Sequence, residues 1–504
     1  MMKRVNIVGA GTAGLAASVR LQKAGYDVHL YEKNERIGGK MYQIKEEGYT
    51  FDVGPTIVMT PEIYREVFEF AGVNPEEYIP MKKLDPMMGV SYKDGTNFSL
   101  SNDLVELMAT LEERSEGDAA GFLKYLASIY ERYLVAKNKI LNRSYRNVWQ
   151  FINPSSLVDL YNLKTFDNAY NEMNKFLDDD YLTKMFAFQT LYIGVSPNSG
   201  PSLYNIIPML ELFYGVWHIK GGMYTMASGM AQLFEELGGT IHLNSNVEEV
   251  LIENGEATGI RVNGEDIMAD YTMVNADFPY AMKHLIPNEK DRGKYTDTKV
   301  DKMEYSCSCF ILYLGTDKEY PSDAIHTFHI AEDFDRNIAD LFDNGVPPED
   351  PSIYVYNVSD ADESLAPEGK SALYVLVPVP DLSLYDDWSE EYVQQYRELV
   401  LDVLSTRPGY EDIKENISYE SIYTPKMFEQ NFNAYNGATF GLRPTLFQSA
   451  YFRPHNKFDY ADNLYFCGSS VHPGAGVPTV LQSAKLSVEE LLRDDNNTEF
   501  IETV

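Results

Sequence analysis

One stretch near the N-terminus, residues 5–40, limits what this chain can fold into more than any other feature. It reads VNIVGAGTAGLAASVRLQKAGYDVHLYEKNERIGGK. The β-branched run at 5–8 predicts a buried parallel strand, and the apolar spacing after the first glycines predicts a helix that ends near Gly25. Residues 27–31 predict a second strand. Strand, glycine-rich turn, helix and strand in this order predict a Rossmann-like α/β fold.

The glycines of this unit are spaced as in a dinucleotide site. Gly9 permits a tight turn, Gly11 lets the backbone beside Ala13 approach a pyrophosphate, and Gly14 lets helix and strand pack closely. The helix N-terminus then offers unpaired N–H groups and a partial positive charge to the phosphates. Glu32 follows the second strand, 23 residues after Gly9, where a carboxylate accepts hydrogen bonds from a ribose diol.

A glycine pair, Gly38-Gly39, lies just past this acidic residue. It predicts a second close approach of the backbone to the ligand, for which a site that binds only NAD has no evident use. The arrangement resembles that of the two-dinucleotide-binding-domain flavoproteins, so we interpret the cofactor as FAD. Lys33 and Lys40 flank the pair and are expected at the same site.

Composition excludes several classes of function. The 504-residue chain has a net charge of −34, which argues against nucleic-acid binding and against attraction of the whole molecule to anionic lipid. Three cysteines are too few for a disulfide framework, and no metal site is expected. The first strand begins at residue 5, and the longest uncharged run, 185–210, is interrupted by Gly and Pro. We therefore expect a cytoplasmic protein without a signal peptide or a membrane-spanning helix.

Residues 120–152 contrast with the acidic chain. Six Lys and Arg residues stand against one Glu, and apolar residues recur at near-helical spacing. A basic amphipathic helix with aromatic residues is typical of a membrane interface, so we expect peripheral attachment through insertion of Phe122, Leu126, Ile129, Tyr133 and Ile140. The alternative is a helix that packs on a second domain and leaves a basic face in solvent.

The remaining chain predicts two domains built from separated segments. We assign 1–85, 221–299 and 451–504 to the FAD-binding domain, and 86–220 with 300–450 to an inserted α+β substrate domain that includes the helical part 120–152. Residues 186–226 are crowded with Phe, Tyr and Met and broken by Gly and Pro; they are either the wall of a tunnel for a long hydrophobic ligand or plain core. Further candidate cofactor-binding residues are Gly54, Pro55, Thr56, Val247, Asp277, Gly468, Ser469, Gly474, Gly476, Val477 and Pro478.

Several of these motifs together resemble the bacterial-type carotenoid desaturases. They are the N-terminal fingerprint with its glycine pair, FDVGPT at 51–56, IKGGMY at 219–224 and GSSVHPGAGVP at 468–478. FQTLYIG at 188–194, GPSLYNIIPM at 200–209, DPSIYVYNV at 350–358, SLAPEGK at 364–370 and FGLRPTL at 440–446 are most similar to the thirty-carbon branch. Ser469 stands where many flavoproteins of two domains place an acid, a departure that these desaturases share.

The resemblance implies an FAD enzyme that removes hydrogens stepwise from 4,4'-diapophytoene (dehydrosqualene), a thirty-carbon isoprenoid hydrocarbon. The products would be 4,4'-diaponeurosporene or, with further steps, 4,4'-diapolycopene. The sequence does not identify the base. His472 and carboxylates near the flavin are candidates, although a histidine in a cofactor loop is more often structural. Three alternatives remain open: an oxidase of the terminal methyl groups of diaponeurosporene, a flavin amine oxidase and a non-catalytic carrier of prenyl lipids. The sequence does not determine an oligomeric state.

Overall fold

The computed structural model describes residues 2–151, 163 and 167–501. Residue 152 of the basic stretch, parts of the predicted segment 86–220 and the first and last residues of the predicted FAD-binding domain lie outside the described residues. Helices of eight or more residues are α1 (Thr12–Lys23), α2 (Pro61–Ala71), α3 (Leu104–Arg114), α4 (Asp118–Ala136), α5 (Asp180–Phe188), α6 (Ile206–Tyr214), α7 (Tyr224–Glu236), α8 (Glu390–Ser405), α9 (Pro425–Phe432) and α10 (Val477–Asp494).

Shorter α-helices cover Val148–Phe151, Ala169–Met173, Phe278–Tyr280, Asp297–Asp301, Phe334–Ala339 and Val358–Ala361, and π-helical turns cover Lys137–Leu141, Ala281–Leu285 and Asp340–Asn344. The strands are β1 (Arg4–Val8), β2 (Asp27–Tyr31), β3 (Gln43–Glu46), β4 (Tyr49–Asp52), β5 (Met81–Lys83), β6 (Met88–Ser91), β7 (Asn97–Leu100), β8 (Trp217–Ile219), β9 (Thr240–His242), β10 (Val247–Glu253), β11 (Glu256–Val262), β12 (Glu265–Met268), β13 (Tyr271–Val274), β14 (Ser308–Thr316), β15 (His326–His329), β16 (Ile353–Asn357), β17 (Ala372–Val379), β18 (Ile417–Tyr423) and β19 (Leu464–Phe466).

A five-stranded parallel sheet in the order β19-β13-β1-β2-β9 carries the N-terminal motif. Its strands are short, mostly buried apolar runs, as expected for a parallel sheet that helices cover on both faces. Val8 lies opposite both Val274 and Tyr31, so the chain leaves these three strands at one edge of the sheet. The predicted Rossmann-like α/β fold is confirmed, and this edge is where such folds bind ligands.

The second sheet is larger and mainly antiparallel. Its order is β18-β14-β17-β16-β15-β6-β7, and only the β15–β6 pair is parallel. Strands from both predicted substrate-domain segments join in it, and the parallel sheet likewise uses all three predicted FAD-domain segments. The exact domain boundaries stay a prediction. Close to two of them, at 85 and 220, β5 pairs with β8.

Two Asn-Gly turns connect the strands of a small third sheet. Strands β10, β11 and β12 form an antiparallel meander. The two Asn-Gly pairs that connect them, Asn254-Gly255 and Asn263-Gly264, have positive φ at every residue, between 50° and 82°. Two left-handed residues in a row match the twist of the flanking strands, which is why Asn-Gly is favoured there.

The helix predicted to insert into lipid packs inside the protein. Phe122, Leu126, Ile129 and Tyr133 are all buried, and the Phe122 ring stacks on Phe186 of α5 with centroids 5.0 Å apart. The prediction of membrane insertion by this face is therefore wrong, because these side chains complete the core beneath the second sheet. Ile140, half-buried, lies on a cavity wall described below.

The basic residues of this stretch are also partly committed to internal contacts. Arg132 is buried; it pairs with Glu172, at 3.3 Å, and donates to the carbonyl of Leu163 and the hydroxyl of Ser202. Arg146 pairs with two carboxylates of α10. Across residues 2–151, 163 and 167–501, no helix combines the length and apolar character needed to cross a bilayer.

Candidate functional site

A cavity of about 860 Å³ extends from the edge of the parallel sheet to the face of the second sheet. Nineteen of the twenty predicted cofactor-binding residues line it. They are Gly9, Gly11, Ala13, Glu32, Lys33, Gly38, Gly39, Lys40, Gly54, Pro55, Thr56, Val247, Asp277, Gly468, Ser469, Gly474, Gly476, Val477 and Pro478. The structure thus brings residues from distant segments to one wall, and their binding role stays a prediction.

The exception, Gly14, lies behind the first turn. A Cβ on Gly14 would lie 2.1 Å from the carbonyl oxygen of Gly9, so only glycine lets α1 start this close to β1. Gly9 has φ of +96°, which favours glycine. Gly11 is different: its φ of −74° suits any residue, and a Cβ there would meet only the Asn275 side chain, at 3.0 Å. The fold therefore does not require glycine at position 11, and the absent side chain leaves space that a ligand can occupy.

The glycine pair packs onto this first turn. Gly38 and Gly39 both have positive φ, at +100° and +56°. The N–H of Gly38 donates to the carbonyl of Ala10 at 2.8 Å, and a Cβ on Gly39 would lie 3.2 Å from the Cα of Gly11. The two glycine turns therefore form one continuous surface of backbone at the N-terminus of α1, which suits an elongated diphosphate.

Glu32 is held in place by backbone donors. One carboxylate oxygen accepts from the N–H of Ala10 and the other from the N–H of Asn34, both at 2.9 Å. The side chain is 5% exposed and faces the cavity at the end of β2. Lys33, beside it, donates to the Asn433 side chain at 2.8 Å. A fixed carboxylate at this position is suited to the diol of a ribose.

A group of charged side chains lies deeper along the same wall. Lys40 Nζ donates to the carbonyl of Thr439 at 2.7 Å, and burial lowers the pKa of Lys40. Asp277 accepts from the N–H of Tyr435 at 2.8 Å and from the hydroxyl of Ser470. Burial raises the pKa of Asp277, whereas the charge of Lys40 opposes that shift. The two residues place opposite charges on the wall of the cavity.

Two side chains that the sequence analysis missed hold the C-terminal loop and the first glycine turn. Arg453, 1% exposed, donates to the carbonyls of Ser469 and Val471 at 2.6 and 3.0 Å. Asn275 donates to the carbonyl of Gly9 at 3.1 Å, tying β13 to the first turn. Neither contact has a local sequence signal, because the partners are far apart along the chain.

His472 is not placed for a part in the reaction. It does not line the cavity, and its Nε2 lies 2.8 Å from the carbonyl oxygen of Arg143 and 3.1 Å from that of Ile140. Burial lowers the pKa of His472 to about 4, so the ring is neutral and donates to these carbonyls. The catalytic candidate is thus corrected: His472 ties the glycine-rich loop to the turn after α4.

The aromatic stretch at 186–226 serves both of the functions left open by the sequence. Phe188, Leu191, Ile207 and Leu210 line the cavity, whereas other members of the stretch, such as Met209, are buried elsewhere in the core. The opposite wall is the face of the second sheet. Its cavity-lining residues are Cys307, Cys309, Ile311, Phe328, Tyr354, Tyr374, Leu376 and Pro378.

The cavity therefore has two chemically different parts. The first part combines the glycine turns, the N-terminus of α1 and the fixed carboxylate of Glu32, which together fit a dinucleotide. The glycines leave open the space that Cβ atoms at their positions would fill. The adjoining part is mainly apolar and suits a long hydrocarbon. A redox cofactor in the first part would lie next to a ligand in the second.

Comparison with known proteins agrees with this geometry. Residues 12–492 match the family described as flavin containing amine oxidoreductase. The chain is 43% identical over 497 residues to a 4,4'-diapophytoene desaturase (4,4'-diaponeurosporene-forming) of Staphylococcus haemolyticus (strain JCSC1435), covering 97% of this chain and 99% of the relative. It is 44% identical over 498 residues to the enzyme of the same name from Staphylococcus aureus (strain Newman), with the same coverage.

A solved structure shares the fold at low identity. A single-substitution variant of putrescine oxidase is 15% identical, with a TM-score of 0.63 over 99% of this chain and 100% of that chain. At this identity the likeness concerns the fold alone, whereas the staphylococcal relatives match essentially end to end. The chain therefore belongs to the flavin containing amine oxidoreductase family and, within it, to the 4,4'-diapophytoene desaturases.

Proposed function

We propose that this protein uses FAD to desaturate 4,4'-diapophytoene to 4,4'-diaponeurosporene. The observation that carries the proposal is the continuity of the cavity, in which a dinucleotide cradle opens directly onto a wall of aromatic and aliphatic side chains. The family membership and the names of the staphylococcal relatives support the same assignment.

The substrate has no polar group, which limits what the side chains can do. When bound, FAD would supply the chemistry of hydride acceptance, which belongs to the cofactor and not to a side chain. The chain supplies orientation, through Phe188, Phe328 and the other apolar wall residues, and a site from which water is excluded. Glu32 and the glycine turns would hold the dinucleotide, and Lys40 and Asp277 line the same cavity.

The direct test is turnover by purified protein. We expect a yellow protein with the flavin absorption bands that converts liposome-borne 4,4'-diapophytoene to 4,4'-diaponeurosporene without added NAD(P). Parallel incubations with diaponeurosporene and with putrescine cover the oxidase alternatives. Oxidation of terminal methyl groups, hydrogen peroxide release from the amine, or a colourless protein that only binds the hydrocarbon would each overturn the proposal.

The substrate also requires a membrane partner. Moving a hydrocarbon through water costs roughly 0.8 kcal/mol for each CH₂-sized unit, so a thirty-carbon chain would face a cost of roughly 20 kcal/mol or more. Transfer from lipid into an apolar cavity avoids that cost, because both environments are dry. We therefore infer that the mouth of the cavity docks peripherally on the membrane. The net charge of the protein, −34, does not favour this docking on anionic lipid.

The docking residues in this proposal differ from those predicted from the sequence. Phe447 and Phe452 line the cavity and are 75% and 41% exposed, and the ring of Phe151 packs on Phe452 with centroids 5.7 Å apart. Trp149, 76% exposed, comes from the same short helix as Phe151. Large exposed aromatic side chains at a cavity entrance are suited to insertion among lipid acyl chains.

A pair of variants separates this proposal from a general effect of charge. Phe447→Glu should reduce co-sedimentation with liposomes and slow turnover of liposome-borne substrate. Val105→Glu is the matched control, because Val105 is 78% exposed, does not line the cavity and receives the same charge. Flavin content should be equal in both variants. Equal liposome binding by the two would place the docking surface elsewhere.

A further inference from the structure

Three side chains from separate segments form a hydrogen-bonded row in the wall of the cavity. Tyr354 on β16 and Thr56 in the turn after β4 both line the cavity, and the Thr56 Oγ1 lies 2.6 Å from the Tyr354 hydroxyl. The Nδ1 of His326, on the neighbouring strand β15, lies 2.7 Å from the same hydroxyl. His326 is 1% exposed and does not line the cavity. Tyr354 therefore connects the cavity to a buried imidazole.

The carboxylates that line the cavity already accept hydrogen bonds from the protein. Among the described lining residues, the carboxylates are Glu32 and Asp277. Each accepts two hydrogen bonds from protein donors, and Glu32 lies in the dinucleotide part. Around Tyr354 the wall is aromatic: its ring centroid lies 5.0 Å from that of Phe328 and 6.0 Å from that of Tyr374. The Tyr354 hydroxyl, backed by His326, is thus a polar group of the apolar part that can accept a proton.

We infer that Tyr354 accepts the proton that the hydrocarbon loses during desaturation, and that His326 receives the hydroxyl proton of Tyr354 in the same step. The inference rests on the proposed function. It makes Tyr354 a catalytic residue, since it touches the substrate space, and His326 a positioning residue that acts through it.

The step conserves both atoms and charge. With FAD bound, a hydride would leave one allylic carbon of the hydrocarbon and a proton would leave the adjacent carbon in one concerted step. In that step the proton passes to the Tyr354 oxygen, and its C–H electron pair becomes the new π bond. The Tyr354 O–H proton moves to Nδ1 of His326, so the positive charge passes from the hydrocarbon to the imidazole. The row must be ordered with Thr56 donating to Tyr354 and Tyr354 donating to His326.

The surroundings of His326 suit an acceptor that is neutral at rest. Burial, with a smaller contribution from His218, lowers the pKa of His326 to about 3, so the ring is neutral at neutral pH. The proton transfer requires the tautomer that carries the ring proton on Nε2, which leaves Nδ1 as the acceptor. A C–H bond beside a carbon that is losing hydride is a far stronger acid than an imidazolium, which provides the driving force. The ring of His326 also stacks on that of Tyr356, with centroids 4.7 Å apart, and the Tyr356 hydroxyl lies 3.0 Å from Nδ1 of His218. This second pair leads away from the cavity.

The test is anaerobic bleaching of the flavin in the holoenzyme by liposomes that carry 4,4'-diapophytoene. Tyr354→Phe keeps the ring and removes the proton acceptor, and we expect bleaching to slow by about a hundredfold. The wild type should show a solvent deuterium isotope effect on bleaching, because the Tyr354 proton is exchangeable, and the variant should not. Flavin content and thermal unfolding of the variant are measured first to establish that it folds.

Two further variants separate proton transfer from packing. Tyr374→Phe is the matched control: the Tyr374 hydroxyl donates to the carbonyl of Gly54, at 3.2 Å, and its loss should slow bleaching only several-fold. His326→Asn places an amide oxygen near the position of Nδ1, which accepts a hydrogen bond but not a proton. We expect it to lose the isotope effect and most of the rate while retaining its flavin.

The outcomes distinguish the inference from the proposed function. A wild type that bleaches, together with a Tyr354→Phe variant that bleaches within several-fold of it and keeps the isotope effect, would overturn the inference alone. A flavin-loaded wild type that is not bleached by the hydrocarbon would overturn the proposed function and, with it, the inference.

Discussion

Gly11→Val should remove the flavin without unfolding the protein. The backbone at Gly11 has φ of −74° and ψ of 178°, which a β-branched residue adopts readily. A Cβ would meet only the Asn275 Nδ2, at 3.0 Å, and otherwise face the cavity. We expect the free energy of unfolding to fall by about 1–2 kcal/mol, from loss of glycine at the helix N-cap and a slightly tight contact.

The expected effect on binding is much larger. The added side chain occupies the space through which a pyrophosphate approaches the N–H groups of α1. Each hydrogen bond to a charged group is worth about 1.5–3 kcal/mol, so displacement from two of them costs about 3–6 kcal/mol. At 1.4 kcal/mol for each factor of ten, FAD binding should weaken by about 10²- to 10⁴-fold.

Flavin absorbance per chain and the rise in thermal midpoint on adding FAD measure this effect. The contrasting variant is Gly14→Ala, three residues on, whose Cβ would lie 2.1 Å from the Gly9 carbonyl oxygen. Gly14→Ala should destabilise the apoprotein by about 1–3 kcal/mol, because α1 must shift against β1. A Gly11→Val protein that purifies with full flavin content, or whose apo form is the less stable of the two, would refute the reasoning.

Three further predictions follow from buried groups. Arg132→Ala should lower the free energy of unfolding by about 3–5 kcal/mol, measured by urea titration, because it removes one partner of a buried ion pair with Glu172. His472→Ala should lower the thermal midpoint but leave the solvent isotope effect on bleaching intact, since its ring holds backbone carbonyls and not substrate. Acidification from about pH 6.5 to about pH 4 should lower the free energy of unfolding, because in this window the histidines of the unfolded chain bind protons that the buried, neutral histidines of the folded protein do not. The histidines responsible are His218, His326, His329 and His472. Asp52, whose pKa is raised to about 6 in the folded protein, opposes this loss of stability.

The sequence by itself determined the dinucleotide unit. Strand, glycine turn, helix, strand and Glu32 lie within one short stretch, and each is specified by local rules of backbone conformation and apolar spacing. The observed bounds of β1, α1 and β2 follow those rules closely. The Asn-Gly turns at 254 and 263 were predictable for the same reason, because the left-handed conformation is a property of the residues themselves.

The role of the basic helix depended on the tertiary structure. The apolar spacing of α4 predicts which residues share a face, but lipid and a protein core are equally dry, so the pattern is the same for both. Only the packing of Phe122 against Phe186 assigns that face to the interior. The aromatic side chains at the cavity mouth, Phe447 and Phe452, lie outside this helix and have no periodic signal of their own.

The polar groups of the site were likewise decided by contacts between distant segments. His472 reaches a carbonyl 329 positions earlier, and Thr56 and His326 meet at Tyr354 although 270 positions separate them. A hydrogen bond requires atoms within about 3 Å, and local sequence carries no information about which remote residue supplies the partner. The residue types of the glycine-rich unit can therefore be recognised along the chain. The contacts that hold them, and the position of Tyr354 in the cavity wall, depend on how the two sheets are brought together.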